Sequence, residues 1–222
     1  MIKYYIRTTG ERTLDKSISR ELGDDYTLLV DTEHKPVKHF IEVLKTINNY
    51  DSILLEDDVI LCKDFKNRVE EAVKKYPNQM INFFSAPELY TKVLTNGNFC
   101  YMQCRYYPKG SCDLLIKELD RFKDKPKVCP CLNIISHKHN LKILQYRPCL
   151  VQHLDMDSLV GNSCGRRRTP YFIDYLDELN IDYSEAGVQD NRKKLINLMY
   201  NKLKEGEELW QKLKLIQRQL NT

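Results

Sequence analysis

The first half of the chain alternates short apolar runs with amphipathic stretches. The apolar runs cover residues 2–7, 26–31, 53–55 and 80–85. Short aliphatic or aromatic runs of this kind are typical of buried strands. Helical spacing between them predicts helices over residues 13–22, from Pro36 onwards, and over residues 64–75. The alternation of strand and helix predicts an α/β fold with a mostly parallel sheet flanked by crossover helices.

Particular residues locate the ends of these helices. Gly23 is predicted to end the first helix, and Pro36 to open the second at a position where its missing N–H costs nothing. Asp64 is predicted to cap the third. The second helix is expected to bury one apolar face, formed by Val37, Phe40, Ile41 and Leu44.

The second half is less regular. We predict a strand over residues 99–107, a helix over 109–119, a loop over 125–130, strands over 141–144 and 149–153, and a helix over 191–220. The last helix has a heptad seam broken by Lys202 and Gly206, so pairing of two subunits and packing across the domain both stay open. These elements divide the chain into a catalytic domain (1–165), a basic segment with a short helix (166–187) and a C-terminal helix (188–222).

Composition narrows the class of protein. The net charge of +4 permits contact with phosphates without requiring nucleic acid. No segment is long and apolar enough to span a bilayer, and the N-terminus lacks the apolar core of a signal peptide. We therefore expect a cytoplasmic protein whose eight cysteines are reduced thiols. The Cys129-Pro130-Cys131 spacing does not match a zinc knuckle.

Two segments contain candidate chemistry. The predicted strand at residues 53–55 leads into Glu56-Asp57-Asp58, and clustered acids at a strand end are costly unless they share a cation or face solvent. The alternatives are a Mg²⁺ or Mn²⁺ site and a solvated acidic turn. A later apolar strand ends at His153, which is either a structural histidine or a further ligand in a site of mixed oxygen and nitrogen donors.

The Leu-Glu-Asp-Asp-Val stretch and the Pro-x-Leu-Val-Gln-His stretch resemble two motifs of GT-A-fold glycosyltransferases, notably of small bacteriophage and bacterial nucleotide-sugar transferases. The resemblance covers residues 1–165. The resemblance implies a GT-A-like sheet with a Rossmann-like nucleotide-binding half. It implies that Asp58 binds Mn²⁺ or Mg²⁺ directly, that Glu56 supports the ion through water, and that His153 is the later ligand. The donor is then a nucleotide-sugar, with a UDP-sugar favoured, in a bacterial or phage-infected cell.

The same resemblance implies residues that hold the nucleotide. They are Arg7, Thr8 and Arg12 after the first strand, Asp31 after the second, and Asp57 near the ribose. Arg166, with the two arginines that follow it, is a candidate lid over the diphosphate or a grip on a polyanionic acceptor. For all the arginines the competing interpretation is a solvated, salt-bridged surface.

Alternatives stay open for the catalytic base, for the acceptor and for the class of function. An inverting enzyme needs a carboxylate base, for which Asp113, Glu88, Asp155 and Asp157 are candidates, whereas a retaining mechanism needs none. Glycans and hydroxymethylated DNA bases are candidate acceptors. The competing functions are another Mg²⁺-dependent nucleotide-processing enzyme and a non-catalytic nucleic-acid-binding or assembly protein, the latter based on the arginines at 166–168 and the tail helix. A homodimer through the tail helix is a further candidate.

Overall fold

The computed structural model describes residues 1–84, 93–96, 101–154, 169–202 and 204–205. The strands are β1 (Lys3–Thr8), β2 (Thr27–Val30), β3 (Ser52–Glu56), β4 (Val59–Leu61), β5 (Ile81–Asn82), β6 (Val93–Asn96), β7 (Cys104–Tyr107), β8 (Lys142–Gln145) and β9 (Val151–His153). The helices are α1 (Lys16–Leu22), α2 (Pro36–Ile47), α3 (Phe65–Lys75), α4 (Asp113–Leu119), α5 (Val128–His139), α6 (Ile173–Glu178), α7 (Glu185–Asp190) and α8 (192–202), with a 3-10 turn at Asp120–Phe122.

Seven strands form one sheet in the order β2-β1-β3-β7-β5-β8-β6. The pairings make β2, β1, β3, β5 and β8 point one way, while β7 and β6 point the other way. A second sheet consists of β4 and β9, paired antiparallel. The predicted α/β class, with a mostly parallel sheet flanked by helices, is confirmed.

Two apolar layers cover the two faces of the sheet, because successive strand side chains point to opposite faces. Tyr4 and Ile6 of β1 belong to the layer that contains α1, α3, α6 and α8, whereas Tyr5 belongs to the layer with α2, α4 and α5. Leu195 and Met199 of α8 are buried in the first layer. The described part of the tail therefore packs on the same core as the sheet.

Local sequence explains three helix boundaries. In α1 the Asp15 carboxylate accepts a hydrogen bond from the Ser17 N–H at 2.8 Å, and Gly23 ends the helix with φ of 61°. This start is three residues later than predicted, because Asp15 provides the cap. Pro36 opens α2, and all four predicted apolar side chains of that helix are buried, which confirms the prediction.

Other predicted details are wrong. Asp64 precedes α3 in the left-handed region and makes no side-chain capping bond. The Glu21 carboxylate accepts from the Phe65 N–H instead, at 3.2 Å. The loop expected over residues 125–130 is confirmed only for 125–127, because α5 begins at residue 128 and Pro130 lies in its first turn, where an N–H has no intrahelical partner to lose. By contrast, the tail helix expected from residue 191 is present as α8, which begins at residue 192 after the separate α7, and its seam beyond residue 205 lies outside the described residues.

The described helices and cysteines add two findings. In the described part of the chain, no helix is both long enough and apolar enough to cross a membrane. The cysteines within it, at positions 62, 104, 112, 129, 131 and 149, are free thiols.

The outer strand β2 forms one edge of the seven-stranded sheet. Its side chains Leu28 and Val30 are 46% and 42% exposed.

Candidate functional site

The carboxyl ends of β1, β2 and β3 meet at one edge of the sheet, because these strands are parallel neighbours. The register places Arg7 opposite Glu56. Since side chains alternate between faces, Arg7 and Glu56 share one face, and the next residues, Thr8 and Asp57, share the other. The predicted acids and the predicted nucleotide-binding residues of β1 are thus brought together by strand pairing.

Arg7 and Glu56 form a bidentate ion pair. Arg7 Nη2 donates to Glu56 Oε1 at 2.8 Å, and Arg7 Nε donates to Oε2 at 3.2 Å. The guanidinium carbon also lies 5.4 Å from the centre of the Phe40 ring. Burial raises the pKa of Glu56, which Arg7 offsets only in part, and the neighbouring Asp58 and Asp57 add to the rise. Both Glu56 oxygens are therefore engaged by Arg7 rather than directed at Asp58.

Asp57 is held by donors on both of its oxygens. The Thr8 hydroxyl donates to Oδ2 at 2.6 Å, and Arg12 Nη1 donates to Oδ1 at 3.1 Å. The Thr8 oxygen in turn accepts from the Gly10 N–H at 2.9 Å. Asp57 is 5% exposed, so these bonds satisfy a carboxylate that has little access to water. Asp57 and Thr8 thereby fix the turn after β3 to the loop after β1.

Asp58 lies beside His153, far away in sequence. The antiparallel register of β4 and β9 sets Val59 opposite His153, and the Leu154 N–H donates to the Asp58 carbonyl at 2.8 Å. His153 Nε2 is 3.5 Å from Asp58 Oδ2, which also accepts from Arg12 Nη1 at 2.9 Å. The structure thus juxtaposes the acid and the histidine that the sequence proposes as metal ligands.

The residues around Asp58 suit a divalent cation in part. Asp58 Oδ1 is buried and has no hydrogen-bond partner within the described ranges. When all three acids are ionised, Glu56, Asp57 and Asp58 face two guanidiniums, so the carboxylates exceed the guanidiniums by one charge. Two ligand atoms about 2.1 Å from one cation lie about 3.0 Å apart in octahedral geometry, close to the observed 3.5 Å. Across residues 1–84, 93–96, 101–154, 169–202 and 204–205, no three His, Cys, Asp or Glu side chains form a metal-binding group.

Gln152 holds the strand of His153 in place, a role that the sequence did not reveal. This fully buried side chain donates to the Thr169 carbonyl at 2.8 Å and accepts from the Thr169 N–H at 2.9 Å. It also accepts from the His153 N–H at 3.1 Å. The only available signal was a glutamine inside an apolar run. Residues 154 and 169, which flank an undescribed segment, are therefore both beside His153.

The remaining candidates are dispersed. Asp31 is buried at the same edge, and its Oδ1 accepts from the Lys35 N–H at 3.2 Å. Asp113 accepts from Asn48 Nδ2 at 2.6 Å, and the carbonyl of the preceding Ile47 accepts from the hydroxyl of Ser52, the first residue of β3, at 2.9 Å. Asp113 therefore lies at the opposite edge of the sheet, and the structure does not bring it to the acids. The candidates Glu88, Asp155, Asp157 and Arg166 lie outside the described residues.

Comparisons with known proteins identify no family. Neither a protein-family model nor a curated protein matches the chain. Among solved structures, the crystal structure of A197 from STIV is similar at 12% sequence identity and a TM-score of 0.40, covering 70% of this chain and 86% of that chain. A likeness at this level assigns neither fold nor activity to the chain.

Proposed function

We propose that the protein is a metal-dependent glycosyltransferase with a GT-A-like fold. It transfers a sugar from a nucleotide-sugar, with a UDP-sugar favoured, to a hydroxyl of a glycan or of a hydroxylated DNA base. The observation that supports this most is the 3.5 Å separation of Asp58 Oδ2, in the turn just before β4, and His153 Nε2, at the end of the paired strand β9. Mn²⁺ accepts such a mixture of oxygen and nitrogen donors.

The position of the cluster supports the same proposal. In open α/β sheets, ligands bind in the crevice beyond the carboxyl ends of the strands. Thr8, Asp31 and Glu56 end or follow the three parallel strands at that edge. A nucleotide bound there would meet the guanidiniums of Arg7 and Arg12.

The chemistry follows from the charges. Asp58 and His153 would hold Mn²⁺ or Mg²⁺, which supplies Lewis-acid stabilisation to a diphosphate leaving group. The two guanidiniums add preorganised positive charge in a site with little access to water. Thr8 and Asp57 keep the turn after β3 fixed, so that Asp58 does not have to be ordered when the ligand binds.

Thermal unfolding with Mn²⁺ and a panel of UDP, GDP, CMP, dTMP and ATP tests this proposal. A ligand that binds only the folded state stabilises it by about 2.7 kcal/mol at a hundred times its dissociation constant. We expect UDP with Mn²⁺ to raise the melting temperature more than either alone. Asp58→Asn and His153→Ala should abolish the dependence on Mn²⁺, and both should lose release of UDP from a UDP-sugar.

Asp113→Asn is the matched control, because it makes the same change at the opposite edge of the sheet. It should respond to UDP and Mn²⁺ as the wild type does. A wild-type protein that shows no nucleotide-dependent shift with Mn²⁺ would contradict the proposal. So would a shift that Asp58→Asn leaves intact, and the acids would then serve only to join β1 to β3.

A further inference from the structure

The guanidinium of Arg12 neutralises negative charge in the acidic cluster formed by Glu56, Asp57 and Asp58. One nitrogen, Nη1, donates to Asp57 Oδ1 at 3.1 Å and to Asp58 Oδ2 at 2.9 Å. The Arg12 side chain is only 9% exposed, so it lies within the cluster rather than on the surface. A charge-assisted bond of this kind is roughly twice as strong as a neutral one.

A divalent cation and Arg12 would compete for the same carboxylate. The Asp58 oxygen that accepts from Arg12 is the one that faces His153 Nε2. A cation bound to Asp58 and His153 would be a few ångströms from the guanidinium, and like charges at that distance repel each other strongly in a water-poor site. Asp57 tolerates a loss of Arg12 better, since Thr8 still donates to it at 2.6 Å.

The loop that contains Arg12 is anchored on both sides of it. On one side, the Gly10 N–H donates to the Thr8 hydroxyl, with Gly10 at a φ of 81° that suits glycine. On the other side, Asp15 caps α1. Arg12 lies midway between these anchors, and an arginine side chain has several rotatable bonds. The backbone of the loop is therefore held on both sides of Arg12, and a change of the Arg12 rotamer does not require these anchors to break.

We infer that Arg12 is a positioning residue that exchanges partners during ligand binding, an inference that rests on the proposed function. In the ligand-free protein it neutralises Asp58. When a divalent cation binds to Asp58 and His153, Arg12 leaves Asp58 and pairs with the diphosphate of the nucleotide. Arg12 therefore opposes binding of the cation alone and favours binding of the cation with a nucleoside diphosphate.

The exchange predicts effects of opposite sign in Arg12→Gln. Mn²⁺ alone, titrated while the free ion is followed by electron paramagnetic resonance, should bind about tenfold more tightly than to wild type, because its competitor is gone. UDP, titrated calorimetrically at saturating Mn²⁺, should bind about tenfold more weakly. The factor by which UDP and Mn²⁺ each increase the affinity of the protein for the other should therefore be smaller in the variant.

Two further variants separate charge from structure. Arg12→Lys keeps the charge and should bind Mn²⁺ as weakly as wild type. Arg20→Gln removes a guanidinium from α1 that is 53% exposed and pairs with Glu21, and it should leave the Mn²⁺ affinity unchanged. An increase in Mn²⁺ affinity in this control as large as that of Arg12→Gln would overturn the exchange, because it would show a general effect of charge.

The outcomes also distinguish this inference from the proposed function. If wild type and Arg12→Gln bind Mn²⁺ equally well, and Asp58→Asn abolishes binding in both, the metal site stands and the exchange is wrong. If Arg12→Gln weakens Mn²⁺ and UDP binding together, the exchange is also wrong, because Arg12 then only supports the site. If neither protein binds Mn²⁺, the metal site and the exchange are both wrong.

Discussion

Replacement of Arg7 by methionine should destabilise the fold, because the largely buried carboxylate of Glu56 loses the guanidinium that pairs with it. Arg7→Met keeps apolar contact with Phe40 but removes the only side chain seen to donate to Glu56 in the described structure. Removing one partner of a buried ion pair costs about 3–5 kcal/mol. The two side chains keep 18% and 16% exposure, so we expect the lower end, about 3 kcal/mol. For a domain of this size, that lowers the melting temperature by about 6–12 °C.

The loss should depend on pH in a defined direction. Without Arg7, burial and the neighbouring Asp57 and Asp58 raise the pKa of Glu56 further above its ordinary value of 4.5. A carboxyl group whose pKa is higher in the folded state than in the unfolded state favours folding least when both states are ionised. The stability of the variant therefore falls as the pH rises from 4.5 through the raised pKa. Relative to wild type at the same pH, the loss should be larger at pH 7 than at pH 4.5.

Thermal unfolding followed by circular dichroism at both pH values measures this loss. The double variant Arg7→Met with Glu56→Gln should recover much of it at pH 7, since no charge is left unpaired. Lys45→Met is the matched control, because it removes an exposed pair with Glu42 and should change little. A loss below about 1 kcal/mol at pH 7, or an equal loss at the two pH values, would refute the assignment of the cost to the Glu56 charge.

Three further predictions concern Thr8, Leu195 and Asp113. Thr8→Val removes a donor from buried Asp57 and should cost about 1–3 kcal/mol in urea unfolding, whereas Thr8→Ser should cost much less; equal losses would contradict the role of the hydroxyl. Leu195→Ala should cost about 2–5 kcal/mol if α8 is part of the core, and a loss typical of a surface residue would show that the helix packs only loosely. Asp113→Asn should leave UDP release from a UDP-sugar intact, and an inactive but folded variant would restore Asp113 as a candidate base.

The sequence predicts those features of the fold that depend on local patterns. Pro36 and the apolar spacing after it determine α2, and the apolar run before Glu56 determines β3. The sequence does not predict the start of α5, where Pro130 lies in the first turn and loses no intrahelical hydrogen bond. The predicted capping role of Asp64 is wrong, because its backbone lies in the left-handed region and its side chain makes no hydrogen bond to the first N–H groups of α3.

The candidate site is predictable only as far as residue types. The acids and His153 are visible in the sequence, but their partners depend on which strands are neighbours. Once β1 and β3 pair in parallel, the pairing of Arg7 with Glu56 follows from the register. The bridging of Asp57 and Asp58 by Arg12 has no local signal, since it depends on how the loop after β1 folds back over the turn after β3.

The outer strand β2 affects how the chain behaves at high concentration. An open strand edge is a template for another chain, and here it exposes Leu28 and Val30. Two features oppose aggregation along it. The strand is only four residues long, and ion pairs lie beside both of its ends, Asp25 with Lys66 and Glu33 with Lys35 and Lys38. Because a second copy that extended this edge would have to approach these hydrated charged groups, they act as gatekeepers against edge-to-edge assembly.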